Sequence, residues 1–373
     1  MKQTFPPLLP LLSFLSFLSL LSSPSLCAAD DTWSSITPYS QDLSSNPFLT
    51  PTDTFEWILG DPSILDLPSG DRYVFANEIF HGIIAYKRDA TQEGEFSFTK
   101  IGAAVGKPGA VRPYCFVEKD GTLFLFWEQY TLRSLYANSV LMMKTGRVKE
   151  GGGLEWNKDD SVVLEPSLPW EKENSSRVGN AFVTYNEEAS KYFLYYSASS
   201  QMLPDSKVAE PIHLGLATAD DIRGPWVRAS DEPLVISGLD SIEGELTTGV
   251  GSFKLVKEIV QTGDVQVGLI NRITKNKETG ATGSTISMVV SRDNGKTLEV
   301  VEPNLITPTL VEKDWKESYV YGFDTGKDLD DDGDEYVLVM YNGRDGWAHA
   351  KETVGATRVE KAVFLKHQLG GKS

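Results

Sequence analysis

Aromatic and β-branched residues recur along the chain in short runs that end on polar residues. Runs of this composition, bounded by turns rich in Gly, Asp and Pro, are typical of β-strands. The five clearest runs are RYVFANE (72–78), TLFLFWEQ (122–129), YFLYYSAS (192–199), VQVGLINR (265–272) and YVLVMYNGR (336–344). Each run lies between an earlier and a later strand-like stretch. The sequence therefore predicts five similar antiparallel units.

The earlier strands begin near five positions that define the repeat. These positions are Asp61, Arg112, Asn180, Val250 and Val320, and they are 51, 68, 70 and 70 residues apart. A period of this size, three or four strands per unit and no convincing helix predict an all-β fold, a five-bladed β-propeller of antiparallel blades. A β-sandwich is the alternative, but it would not be expected to repeat its internal order five times. In a propeller these strand ends gather around a funnel, where polar residues form a candidate site.

The first residues predict export. Residues 8–22 are rich in Leu and Phe, they follow the positive charge of Lys2, and small residues surround Ala29. This order is typical of a secretory signal peptide at 1–29, whereas the apolar stretch is short for a membrane anchor and is broken by serines. We therefore expect a secreted protein with no membrane contact after cleavage.

The remaining chain divides into a polar N-terminal lead-in at 30–45, the propeller at 46–367 and a C-terminal tail at 368–373. Cleavage near Ala29 would leave Cys115 as the only cysteine, so no internal disulfide is expected. The sequon Asn174-Ser175-Ser176 predicts N-glycosylation at Asn174.

The formal net charge of −17 argues against a polyanionic partner. There is no cluster of Lys and Arg that would attract nucleic acid in spite of this charge. A carbohydrate partner fits better, and the sequence does not indicate an oligomeric state.

Several segments resemble one family of enzymes. Gly60-Asp61-Pro62 and the segments LGLATADDIRGPW (214–226), GNAFVTYNEEASKYFLYYSAS (179–199) and YVLVMYNGRDGW (336–347) resemble the five-bladed glycoside hydrolases of family 43 and the related families that share their propeller. The resemblance runs over residues 46–360. Because that group includes arabinan-, xylan-, galactan- and fructan-active members, it implies hydrolysis of a poly- or oligosaccharide without identifying the sugar.

The resemblance also implies a site of three acids: a general base on the first blade, an orienting Asp on the third and a general acid at the start of the fourth. Asp61 matches the base. Asn180 stands where an Asp would be usual, and it cannot carry the charge that raises a partner's pKa. On the fourth blade Glu243 or Glu245 would supply the acid, although strict register places Thr248 there.

Other carboxylates remain open as alternatives. Glu210 precedes the third strand of the third unit, and Glu78 and Glu128 end two second strands. Inverting hydrolysis needs one ionised and one protonated carboxyl with a water between them, and the sequence alone does not identify the pair.

The candidate substrate-binding residues include three arginines and five aromatic residues. Arginines beside carboxylates either bind an acidic sugar or form structural ion pairs. Aromatic side chains near strand ends either stack on a sugar ring or pack between blades. The residues concerned are Arg112, Arg272, Arg344, Asn180 and Glu128, and the aromatic Trp57, Trp127, Tyr130, Tyr321 and Trp347.

Hydrolysis by two carboxyls requires no cofactor, but one acidic turn matches the start of a calcium loop. Asp328, Asp330 and Asp332 alternate before Gly333, as oxygen ligands of Ca²⁺ do, while the twelfth position holds Val339 in place of the usual Glu. An acidic hairpin tip is the alternative. Two further functions stay open: a carbohydrate-binding propeller that has lost hydrolysis, and a lyase or phosphorylase that uses the same funnel.

Overall fold

A computed structural model describes residues 40–51, 58–78, 80–89, 96–131, 137–259, 265–329, 335–346 and 350–369. The described residues lie within a single unit, 36–373. The signal peptide predicted at 1–29 lies outside the described residues. The strands and the helix, in chain order, are β1 (Ser40–Asp42), β2 (Leu59–Asp66), β3 (Arg72–Glu78), β4 (Gly82–Arg88), β5 (Phe98–Val105), β6 (Ala110–Val117), β7 (Leu123–Tyr130), β8 (Ser139–Val148), β9 (Leu154–Trp156), β10 (Ser161–Leu164), β11 (Val178–Asn186), β12 (Lys191–Ala198), β13 (Gln201–Met202), β14 (Ala209–Glu210), β15 (His213–Ala219), β16 (Val227–Arg228), β17 (Val235–Ser237), β18 (Glu245–Leu255), β19 (Gln266–Asn276), β20 (Thr282–Ser291), β21 (Thr297–Ile306), β22 (Tyr319–Lys327), β23 (Tyr336–Arg344), β24 (Glu352–Glu360) and α1 (Lys361–Leu369).

These strands form five antiparallel blades, so the predicted all-β propeller is confirmed. The blades are β2-β3-β4-β5, β6-β7-β8-β10, β11-β12-β15-β16, β18-β19-β20-β21 and β22-β23-β24-β1. The first strand of each blade contacts the first strands of the two neighbouring blades, in the ring β2, β6, β11, β18 and β22. Three short additions decorate this plan: β9 beside β8, the parallel β17 beside β21, and the hairpin β13-β14.

The last blade is closed by the beginning of the described chain. Ser40 of β1 pairs with Val359 of β24, so the outermost strand of blade five comes from the region predicted as a lead-in. The described chain ends in α1, where the sequence predicted no helix. Phe364 of α1 is fully buried and packs in the cluster shared by blades four and five. Both ends of the described chain therefore stabilise the same part of the ring.

The hydrophobic core lies between blades, because each sheet buries both faces against its neighbours. Leu338 of blade five packs with Val74 of blade one. The rings of Phe182 in blade three and Phe253 in blade four meet edge to face with centroids 6.0 Å apart. This burial explains why the strand runs are dense in aromatic and β-branched residues.

Every innermost strand carries a one-residue β-bulge at the same level. The bulges of blades one to three put Asp61, Arg112 and Asn180 at φ angles of 51°, 53° and 50°. The left-handed region is unfavourable for residues with a side chain, and a bulge redirects the side chain that it carries. The repeated bulge is the local device that brings one residue per blade to the axis.

Candidate active site

The five bulges converge on one small cavity at the propeller axis. Asp61, Arg112, Asn180, Gly251 and Gly322 all line it. The sequence register placed Thr248 at the fourth position, but strand pairing places Gly251 there, because the bulge of β18 that matches those of the other blades lies between Val250 and Phe253. Blades four and five thus contribute glycines, and only the first three blades present side chains at this level.

Above this level lies a pocket of about 210 Å³. It is smaller than the roughly 300–1,000 Å³ of typical ligand clefts, so it suits a single ring better than a chain segment. Its described lining is Ile58, Asp61, Asn77, Val111, Arg112, Tyr130, Ser206, Lys207, Val208, Glu210, Tyr321, Arg344, Ala350 and Glu352. Six residues predicted from the sequence as catalytic or substrate-binding are therefore brought together: Asp61, Arg112, Tyr130, Glu210, Tyr321 and Arg344.

Asp61 is half-buried and its carboxylate faces this space. Its backbone N–H donates to Asn342 Oδ1 at 3.3 Å, while the carboxylate makes no hydrogen bond to another described residue. A Cβ at position 322 would lie 2.3 Å from Asp61 Oδ1, so Gly322 is what leaves room for the carboxylate. Burial raises the pKa of Asp61, and Arg112 opposes that rise.

Glu210 enters the pocket from the hairpin β13-β14 of blade three. Only 4% of it is exposed, and among the described residues its side chain has no hydrogen-bond partner. Burial raises the pKa of Glu210 to about 7, although Arg112 and Arg177 act in the opposite direction. Glu210 is therefore a carboxyl that keeps its proton in mildly acidic solution.

A third carboxyl, Glu352, comes from the first residue of β24. Tyr321 Oη donates a hydrogen bond to Glu352 Oε1, and Arg344 lies directly across the strand pair. Burial raises the pKa of Glu352, while Arg344 opposes the rise. Glu352 is not among the residues predicted from the sequence, although a signal existed: Glu352 opens the third strand of blade five, as Glu210 precedes that of blade three.

Glu128 lies behind the pocket wall as the centre of an ion-pair cluster. Arg177 Nε donates to its Oε1 at 2.7 Å, Arg112 Nη1 to its Oε2 at 3.0 Å, and Ser139 Oγ to its Oε1 at 2.7 Å. Burial favours the neutral acid, but the two arginines outweigh it and hold the pKa of Glu128 at about 2. Glu128 thus orients Arg112, whose Nη1 also donates to Tyr130 Oη at 2.6 Å.

Asn180 contributes an amide and no charge. Its Nδ2 donates to Ser197 Oγ at 2.9 Å and to the carbonyl of Gly251 at 2.5 Å. These bonds tie the bulge of blade three to that of blade four. The position that the resemblance gives to an orienting acid therefore holds a neutral connector.

Two predicted acids of blade four lie apart from this pocket. Glu243 is exposed on the loop before β18, and Glu245 is buried against Arg272, with Arg272 Nη2 donating to Glu245 Oε2 at 3.0 Å. Neither glutamate, nor Arg272, is among the described residues that line the pocket. In this structure Glu245 and Arg272 form an ion pair within the sheet of blade four.

Of the three aspartates predicted to bind calcium, the structure describes one. Asp328 is buried and accepts hydrogen bonds from the guanidinium of Arg358, while Asp330 and Asp332 lie outside the described residues. Among the described residues no group of three His, Cys, Asp or Glu is placed to hold a metal ion. The calcium site stays a prediction.

Asn174 is exposed, and its glycosylation also stays a prediction. Trp127 is fully buried in the cluster between blades one and two, whereas Tyr130 lines the pocket. Trp57 and Trp347 lie outside the described residues. Within the described part of the chain, no helix has the length and apolar character needed to cross a membrane.

Comparison with known proteins finds similarity in structure. No family model matches the chain, and no curated protein sequence matches it. A solved structure described as a glycoside hydrolase aligns with a TM-score of 0.60 and 12% identity over 86% of this chain and 91% of that chain. An N-acetylgalactosamine deacetylase from F. plautii, in complex with blood group B trisaccharide, aligns with a TM-score of 0.57 and 9% identity over 89% and 97%.

An α-L-arabinofuranosidase from Podospora anserina, in complex with cellotriose, aligns with a TM-score of 0.53 and 13% identity over 84% of this chain and 94% of that chain. At these identities the likeness concerns the fold. The chain has the five-bladed propeller fold of glycoside hydrolases, as the resemblance of its strand and turn segments predicted.

Proposed function

We propose that this protein hydrolyses glycosidic bonds of a poly- or oligosaccharide, with Asp61 as general base and Glu210 as general acid. One observation carries the proposal: a single pocket holds two carboxyls that are free of hydrogen bonds to described residues, and one of them has a pKa of about 7. Two carboxyls whose environments separate their proton affinities are the usual source of an acid and a base at one pH.

The chemistry follows from these protonation states. Asp61, acting as the base, takes a proton from a water molecule as that water attacks the anomeric carbon. Glu210 gives its proton to the leaving glycosidic oxygen as the carbon–oxygen bond breaks. The products are a sugar with a new hydroxyl and a free alcohol group, and Asp61 then returns its proton to solvent while Glu210 regains one. This reaction requires no cofactor.

Glu352 supplies the third carboxyl that Asn180 does not. Its charge raises the pKa of Glu210, which is the effect that an acid on blade three would have had. The Tyr321 hydroxyl fixes the orientation of Glu352. We therefore assign Glu352 as a positioning residue and Glu210 as the proton donor.

The test uses two substitutions and two kinds of substrate. Asp61→Asn and Glu210→Gln are assayed on a panel of plant and algal oligosaccharides and on the aryl glycosides of the same sugars. Asp61→Asn should lose about 10²–10⁴-fold in kcat on both kinds, because the attacking water has lost its base. Glu210→Gln should lose a similar factor on oligosaccharides and far less on aryl glycosides, whose leaving group departs without a proton.

Glu245→Gln is the matched control, since it removes a buried glutamate from outside the pocket, and it should leave the substrate profile unchanged. Equal losses for Glu210→Gln on both kinds of substrate would remove Glu210 as the acid. Unchanged turnover in Asp61→Asn would remove the mechanism.

A second candidate is a carbohydrate-binding propeller without turnover. Asn180 and Gly251 favour it, because two of the three positions that the resemblance gives to acids carry none. Binding of an oligosaccharide by calorimetry, with no product release from any member of the panel, would support this function over hydrolysis.

We also propose that the protein acts outside the cell, on the strength of the sequence at 1–29.

A further inference from the structure

A buried amine lies on the propeller axis below Asp61. Lys254 of β18 is 6% exposed, and its pairing with Leu269 puts it at the position that Asp324, paired with Met340, occupies in the next blade. A primary ammonium is costly to bury unless anions or other acceptors surround it. The groups around Lys254 therefore indicate its role.

Asp324 is only part of the answer. Lys254 Nζ lies 3.8 Å from Asp324 Oδ1, which is too long for a hydrogen bond. Asp324 is instead held by the backbone N–H of Ile64 at 2.8 Å and by Lys257 Nζ at 3.1 Å. Within the described residues Lys254 thus forms no close ion pair of its own.

The amine and Asp61 line the same cavity. Its volume is about 10 Å³, and its polar lining is Asp61, Arg112, Asn180, Ser252 and Lys254. Ser252 Oγ is buried there without a hydrogen-bond partner among the described residues. A polar cavity of this size holds about one water molecule, which needs two to four such partners.

We infer that Lys254 is a positioning residue that keeps Asp61 ionised, acting across this cavity through a water shared with Ser252. The inference rests on the function proposed for Asp61. Lys254 is an ammonium below about pH 8, because burial lowers the pKa of Lys254 only to about 8 while Asp324 opposes the decrease.

Other charged or titratable groups act on the same two residues from every neighbouring strand. Those around Asp61 are Arg112, Glu128, Arg177, Glu210 and Glu352, and those around Lys254 are Asp324, Lys257 and Tyr114, whose ring centroid lies 5.4 Å from Lys254 Nζ. Lys257 also binds Asp324 and faces the Tyr114 ring at 5.3 Å. Lys257 lines a separate cavity together with Tyr114, and it is not among the described residues that line the cavity of Asp61.

Lys257→Met therefore provides a matched control. It removes a positive charge beside Asp324, as Lys254→Met does, but it leaves the lining of the cavity beside Asp61 unchanged. Lys254→Met should move the acidic limb of the kcat/KM profile up by about one pH unit, since loss of a nearby positive charge favours the neutral acid. Lys257→Met should leave that limb in place, and Lys254→Arg should restore it. A limb that moves equally in both methionine variants, or in neither, would overturn the inference.

A second readout does not depend on turnover. The ¹³C carboxyl resonance of Asp61, assigned by its loss in Asp61→Asn, is titrated in the full chain with and without Lys254→Met. The midpoint should rise by about one unit in the variant, and an unchanged midpoint would overturn the inference. If no glycan is hydrolysed but the midpoint moves, the proposed function fails and the coupling stands. Lys254→Gln removes the same charge and replaces Lys254→Met in both assays if that variant does not fold.

Discussion

Two walls of the pocket carry buried glutamates with opposite properties. On the blade-two wall Glu128 has a pKa held at about 2, and on the blade-three wall Glu210 has a pKa raised to about 7. Both are at least 96% buried, at 0% and 4% exposure, and both are influenced by Arg112 and Arg177. Burial and the two arginines are therefore shared, and the difference arises from direct contacts and from the charges of Glu352 and Asp61, which raise the pKa of Glu210.

Those contacts are present on one wall and missing on the other. Glu128 accepts hydrogen bonds from both arginines and from Ser139, and the chain makes room for it: a Cβ on Gly179 would lie 1.9 Å from its Oε2. Glu210 has no hydrogen-bond partner among the described residues. A carboxyl that is buried but unpaired costs stability, and such a cost is typical of a group retained for chemistry.

The largest expected effect is a difference in stability between a variant of Glu128 and a variant of Glu210. Glu128→Gln leaves Arg112 and Arg177 buried without their anion, so the free energy of unfolding should fall by about 3–5 kcal/mol. Glu210→Gln removes an unpaired acid whose pKa is about 7, so at pH 7 it should raise the free energy of unfolding, by up to about 3 kcal/mol. Urea unfolding of both variants at pH 7, followed by tryptophan fluorescence, measures the contrast. Equal destabilisation would mean that Glu210 has a structural partner after all.

The second effect is the pH dependence of that contrast. The pKa of Glu210 is higher in the folded state than the ordinary value of 4.5. The folded protein therefore binds the proton more tightly, and stability falls as pH rises from about 4.5 to about 7. Glu210→Gln should match the wild type near pH 4 and exceed it by about 3 kcal/mol near pH 8.

Unfolding of the wild type and Glu210→Gln across this pH range tests the sign. A difference that shrinks with rising pH would show that Glu210 is ionised and paired in solution. Glu243→Gln is the control, since Glu243 is exposed and lies outside the pocket.

The sequence predicts the features that depend on local patterns, and it misses those that depend on pairing between strands. The repeat, the blade order and the residues Asp61, Arg112 and Asn180 at the axis came from strand patterns, because β-branched runs and turns are local features. The fourth axial position did not, because the place of the bulge between Val250 and Phe253 in β18 is set by pairing with β19. A shift of three residues was enough to replace Gly251 with Thr248.

The choice of acid needed contacts between distant parts of the chain. Glu210, Glu243 and Glu245 are alike in sequence, each lying in a connection or at a strand start. Only the fold shows that Glu245 is paired with Arg272 and that the hairpin β13-β14 places Glu210 in the pocket. Glu352 lies 291 positions after Asp61, so no local pattern could join the two.

The smallest expected effect adds a carboxyl to the wall of Glu210. Asn180→Asp would place the acid that the resemblance implies beside Asp61, at the cost of the amide bonds to Ser197 and Gly251. A new negative charge favours the protonated forms of its neighbours, so both limbs of the kcat/KM profile should move up by about one pH unit. The pH-rate profile of the variant measures this shift, with Asn180→Ala as the control for loss of the amide.

The rate at the optimum decides the role of Glu352. Because Glu352 already raises the pKa of Glu210, a further carboxyl at 180 is redundant, and the maximal kcat should not exceed that of the wild type. A tenfold gain in kcat would show instead that the pocket lacks an acid which Glu352 does not replace. In that case the unpaired state of Glu210 would mark a site that has lost part of its chemistry, as the binding-only function requires.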